Sequence, residues 1–163
     1  MYHIKKDLRA YKSAELFYEG LERCMKSRKL DKISVTDVTN ASAVSRATFY
    51  RNFDAVIDVL YWKCNELFKE VLGSFVEGTP DLTKVDSLIL YVFQFWMDHV
   101  EILETLICEG RIDIIYNSFM KNADIVMDYI CEQIKLPNVN YDYFIATRVG
   151  IFIGVFQTWI TRG

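Results

Sequence analysis

Apolar residues recur at helical spacing along nearly the whole chain, and no stretch keeps clean strand alternation. "SAELFYEGLERCMKSR" sets Leu16, Phe17, Gly20, Leu21, Cys24 and Met25 on one stripe. Ser13 is the expected N-cap there, and Lys26, Arg28 and Lys29 suit the helix C-terminus. Ser34 with Asp37 predicts a capping-box start for "VTDVTN", and Ser45 opens "RATFYRNF", where Phe49 and Phe53 lie one turn apart. A long helix follows, with Val56, Val59, Leu60, Cys64, Leu67, Phe68, Val71, Leu72 and Phe75 on its stripe and its end near Gly78.

Pro80 and Pro137 punctuate the rest. "DLTKVDSLILYVFQFWMDHV" is apolar nearly all round, as central helices are, but too short and too polar at Gln94 to span a membrane. "VEILETLICEG", "RIDIIYNSFMKNADIVMDYICEQIK" and "YDYFIATRVGIFIGVFQTWITRG" complete eight expected helices, with a strand as the alternative only for "GIFIGVF". The predicted fold is all-α. A three-helix domain over residues 1–54 is joined by a long helix to an all-helical regulatory and dimerisation domain over residues 55–163.

Charge changes the picture. The net charge is −3, yet residues 1–53 hold eleven Lys/Arg against six Asp/Glu and residues 54–163 hold eight against sixteen. A basic N-terminal part suits a polyanion, and an acidic body turned away from it orients the molecule. The N-terminus has no apolar run of a signal peptide, and the four scattered cysteines form no C-x-x-C pair. Reduced thiols in a cytoplasmic protein are expected, with no metal and no cofactor. No H-E-x-x-H, nucleophile elbow, P-loop or dinucleotide fingerprint is present, so no enzyme is expected.

The stretch "SVTDVTNASAVSRATFYRNF" reads as two short helices around a tight turn. Val35, Val38, Val44, Phe49 and Phe53 point inward, leaving Thr36, Ser45, Arg46, Ala47, Thr48, Tyr50 and Asn52 exposed. That is a helix-turn-helix, whose second helix fits a major groove.

The runs I-x-V-x-D-V (Ile33–Val38), V-S-R-A-T-F-Y-R-x-F (Val44–Phe53) and D-V-L (Asp58–Leu60) resemble the DNA-binding domain of the TetR family of bacterial transcription regulators. The resemblance covers roughly residues 13–60; beyond it, only the architecture is similar. It implies a homodimeric regulator, a repressor that binds double-stranded DNA at a palindromic operator and answers to a small-molecule effector. Arg46, Ala47 and Thr48 take base- and groove-facing positions, with specificity chiefly on Arg46. Tyr50, Asn52 and Thr36 fall on phosphate or groove contacts, and affinity is assigned to Thr36, Tyr50, Arg51 and a basic N-terminal arm.

Two departures stand out. Ser42-Ala43 replaces the family's Ala-Gly in the turn, losing the residue that takes positive φ without strain. Asp54 stands where a phosphate-binding lysine is usual; as an N-cap it helps the next helix, but it repels phosphate. The alternative reading is a TetR-like protein-interaction module or coactivator without sequence-specific DNA binding.

In the second half, Phe93, Trp96, Met97, Tyr116 and Phe119 are candidate effector-pocket residues, alongside Tyr91, Phe95, His99 and Met127. Each is also a natural core residue, and His99 reads better as a satisfied histidine. Gly150 and Gly154, four apart with Phe152, Phe156 and Trp159 around them, mark the last helix as the expected dimer interface. Relatives in the family often continue into one more helix.

Overall fold

A computed structural model describes residues 1–5, 7–78, 87–133 and 140–162, without the side chains of 87–89, 129–133 and 141. The chain is all-α. Its helices are α1 (Leu8–Met25), α2 (Val35–Ser42), α3 (Arg46–Asn52), α4 (Ile57–Glu77), α5 (Ser87–Met97), α6 (Val100–Cys108), α7 (Ile112–Asn122), α8 (Asp124–Gln133) and α9 (Tyr141–Arg162). A 3₁₀ turn, Leu30–Lys32, precedes α2. The expected seventh helix is present as α7 and α8, divided at Ala123, whose N–H bonds Met120 O at 3.4 Å instead of the carbonyl one residue earlier. "GIFIGVF" is helical, inside α9. Pro80 and Pro137 lie outside the described residues.

Two compact units divide the chain, Met1–Lys63 and Cys64–Gly163. In the first, α1 packs on α2 and α3. Phe17, at 0% exposure, meets Phe49 edge-on at 5.1 Å and Phe53 at 6.1 Å, and Phe53 meets Trp62 at 6.3 Å. Ala14, Leu21, Cys24, Ile33, Val38, Val59 and Leu60 complete this core, with Val35, Val44 and Val56 half-buried at its edge. The N-cap of α1 is Asp7, which accepts from the Ala10 N–H at 2.8 Å, and not Ser13. Ser13 sits inside the helix, donating to Arg9 O at 2.9 Å. The apolar stripe begins later than the helix because Leu8, in the first turn, faces solvent.

In the second unit Phe68 is the hub, with Trp96 at 4.6 Å, Phe119 at 5.3 Å and Phe152 at 5.8 Å. A small polar layer is buried beside it: Asn122 Nδ2 donates to Asn65 Oδ1 at 3.1 Å and to Ser118 O at 2.8 Å. Gly110 takes φ +68° after α6, and Arg111 N–H closes back on Leu106 O, a left-handed helix ending. The central helix expected to be covered on several sides is α5, which packs on α4 through Phe68–Trp96 at 4.6 Å and Phe75–Tyr91 at 5.5 Å, and on α6 and α9. Val92 and Trp96 are buried, while Leu90, Tyr91 and Met97 are exposed. By length and composition Asp142–Arg162 would suffice to cross a membrane. Here its Ile145, Val149, Phe152 and Phe156 are buried against the helices of its own unit.

Candidate nucleic-acid interface

The start of α2 is fixed on two sides. Ser34 Oγ accepts from Asp37 N–H at 3.2 Å, and Asp37 Oδ2 accepts from Ser34 N–H at 2.9 Å, a complete capping box. Arg28 reaches the other Asp37 oxygen at 2.9 Å. The Ser34 hydroxyl first and Arg28 second hold the Asp37 carboxyl well below the usual range. At the other end, Arg23 Nη2 donates to Ala41 O at 2.6 Å, pairing a terminal carbonyl of α2 with a cation from α1.

The turn between α2 and α3 passes through Ala43 at φ 56°, ψ 26°. Ala43 is the one non-glycine at positive φ among the described residues. The conformation expected of the missing glycine is therefore adopted, at the cost of a Cβ crowding the following carbonyl. Buried Ser42 steadies the turn: its hydroxyl donates to Thr39 O at 3.2 Å and accepts from Val44 N–H at 3.4 Å. Gly20 allows the approach of α1, since a Cβ there would lie 2.9 Å from Ser42 N and 3.0 Å from Val38 O.

Ser45 caps α3, accepting from Thr48 N–H at 3.2 Å, while its hydroxyl and that of Thr48 lie 3.0 Å apart. Arg51 Nη2 donates to Thr48 Oγ1 at 3.4 Å. Phe49 and Phe53 are wholly buried, and the opposite face is open. Thr36, Ser45, Arg46, Ala47, Tyr50 and Arg51 are exposed and Thr48 is half-buried. Arg46 makes no hydrogen bond or ion pair among the described residues, so its guanidinium is available. Asn52 departs from expectation. It is 3% exposed, its position three residues after Phe49 carrying it onto the inner face, and its Nδ2 has no partner among the described residues.

Asp54 is not the cap of α4, which begins at Ile57. Asp58, inside the first turn of α4, reaches back, its carboxylate accepting from Ala55 N–H at 2.9 Å. Asp54 instead meets His3 Nε2 at 3.0 Å and the amino group of Met1 at 3.0 Å. These two contacts, His3 first, lower the Asp54 carboxyl below its ordinary value. The N-terminal segment is thus no loose arm at its outer end: His3 N–H donates to Asn52 O at 2.8 Å and Asp54 N–H to Met1 O at 3.1 Å, bridging Tyr2 to Phe53. Sequence reasoning missed this set, together with Arg23 and Arg28, because each pairs with a group distant in sequence.

In the second unit three of the five pocket candidates, Phe93, Trp96 and Phe119, belong to one aromatic cluster around Phe68 and Phe152. Trp96 and Phe119 both pack on Phe68, Phe93 stacks on Phe156 at 4.8 Å, and Met97 and Tyr116 are exposed at 49% and 40%. His99 Nδ1 lies 2.9 Å from Phe95 O with its ring stacked on Phe95, the satisfied histidine expected. Of the interface candidates, Phe152 and Phe156 are buried in their own unit. Gly150, Gly154 and Trp159 are exposed, and a Cβ at either glycine would meet nothing within 4 Å. They share an open face with Ile151 and Val155, exposed at 46% and 49%.

Cys24 and Cys64 are buried free thiols and Cys108 an exposed one. Burial pushes the Cys64 thiol up to about 12, which makes it inert. Among the described residues no group of His, Cys, Asp or Glu has the arrangement of a metal site. No protein-family model matches this chain, and no curated protein does.

Proposed function

We propose that this chain is a TetR-type, sequence-specific DNA-binding regulator, acting in the cytoplasm as a homodimeric repressor under control of a small-molecule effector. The observation that carries the reading is the open face of α3. A seven-residue helix is anchored by Phe49 and Phe53 at 0% exposure and presents Arg46, Ala47, Tyr50 and Arg51 to solvent. With α2 and the Ala43 turn it makes a helix-turn-helix. Arg46, near the N-terminal end of α3, suits bidentate contact to guanine. Thr36, Tyr50 and Arg51 suit phosphate, whose contacts orient the protein without reading sequence. Ser45 contributes mainly as the cap that aims the helix.

The apolar open face of α9 supports a dimer, and two copies would meet operator half-sites spaced by about one duplex turn, ~34 Å. The effector is supported by resemblance alone. The interaction-module alternative draws on Asp54, which adds negative charge immediately after α3. The test is selection of bound duplexes from a random pool. Recovery of a palindrome supports the regulator, and sequence-blind recovery supports the alternative.

A further inference from the structure

Acidic residues at a DNA-facing junction weaken phosphate binding, so Asp54 calls for a reason. Residues 1–3 run antiparallel to residues 52–54, which are the last residue of α3, its C-cap Phe53 and Asp54. Two backbone hydrogen bonds join these segments, at 2.8 Å and 3.1 Å. His3 Nε2 lies 3.0 Å from Asp54 Oδ1, the Met1 amino group pairs with Asp54 at 3.0 Å and with Asp58 at 2.8 Å, and the Tyr2 ring lies 6.2 Å from that of Tyr61 on α4. The strap therefore grips the end of α3 on one side and the first turns of α4 on the other. A seven-residue helix has few internal hydrogen bonds of its own, and its C-terminal turn frays unless something outside holds it.

We propose that Asp54 is a positioning residue: by holding His3 and the Met1 amino group, it keeps residues 1–3 strapped to the end of α3 and so fixes how that helix presents its open face. The inference rests on the DNA-binding reading for its consequence, but not for the strap itself. The strap also sets the direction in which the basic segment beginning at Lys5 leaves the junction. On this view the acid supplies order in place of a direct phosphate contact.

The test uses the full chain with His3→Ala, Asp54→Ala, both together, and His3→Gln, whose amide can still donate to Asp54. Amide hydrogen exchange is followed at His3, Phe53 and Asp54, whose N–H groups are bonded to Asn52 O, Phe49 O and Met1 O. Each Ala variant should lower protection at all three by about threefold to tenfold, as loss of one hydrogen-bonded pair predicts. The double variant should lose no more than Asp54→Ala alone, which also gives up the Met1 amino group, and His3→Gln should keep most of the protection. Affinity for the selected duplex should fall by a similar factor with its salt dependence unchanged. Unchanged exchange at Phe53 in both single variants overturns the proposal. So does a salt slope reduced by about one in the His3 variant, which would make His3 a phosphate contact. If the wild-type chain binds no duplex, the DNA-binding reading falls, while exchange at Phe53 still decides the strap.

Discussion

Gly20 of α1 lies against Ser42 of α2 so closely that a Cβ at position 20 would stand 2.9 Å from the Ser42 backbone nitrogen. Ser42 is the last residue of α2, and its hydroxyl braces the turn into α3. The contact therefore ties the core helix α1 to the angle between the two short helices. Because the atoms met are backbone, they cannot swing aside. Gly20→Ala should destabilise the first unit by about 1–3 kcal/mol, the usual cost of overpacking, despite the better helix propensity of Ala. Urea denaturation followed by circular dichroism would measure it. A neutral or stabilising result would mean that α1 and α2 separate freely.

Ala43 offers the opposite change. At φ 56° its Cβ is crowded, and glycine removes the crowding. Ala43→Gly should raise stability by about 0.5–1.5 kcal/mol, after allowing for the extra freedom of glycine in the unfolded chain. A rise in thermal midpoint checks this. Ala43→Val should lower the midpoint.

Much of this arrangement was legible in the sequence, because caps and apolar period act locally. Ser34, Asp37 and Ser45 announced the starts of α2 and α3, and Phe49 with Phe53 announced the buried face. Asn52 misled because its polar side chain outweighed its place three residues after Phe49. Asp54 misled because its partners, Met1 and His3, stand more than fifty residues away, where no local pattern can signal them. The all-round apolar character of α5 suggested a helix covered on several sides, and α4, α6 and α9 pack on it, but composition does not say which positions stay open, and Leu90 and Met97 do.

Acid should loosen α2 before the rest of the first unit. The Asp37 carboxyl is lowered by Ser34 and then Arg28, so its contribution is complete above the unfolded value of about 4. It is lost as pH falls through the folded value below that. Asp37→Asn should flatten the pH dependence of stability on the acid side and leave neutral-pH stability reduced. Stability measured between pH 2 and 7 gives both, and an unchanged acid limb would show that Asp37 is not the group responsible.

The face of α9 carrying Gly150, Ile151, Gly154, Val155 and Trp159 is where self-association should be sensitive. Val155→Glu places a charge on a half-exposed position, so folding should change by no more than about 0.5 kcal/mol. Sedimentation equilibrium should show a dimer for the parent chain and a monomer for the variant. A variant dimer of undiminished affinity would remove this face from the interface.

The most direct test compares Arg46→Ala with Arg51→Ala on the selected duplex and on a scrambled one, across a salt series. Arg46→Ala should cost about 1–3 kcal/mol on the selected sequence and little on the scrambled one, relaxing the preference at one base position. Arg51→Ala should weaken both alike and reduce the salt slope by about one. If Arg46→Ala leaves both affinity and preference unchanged, the open face of α3 does not read DNA.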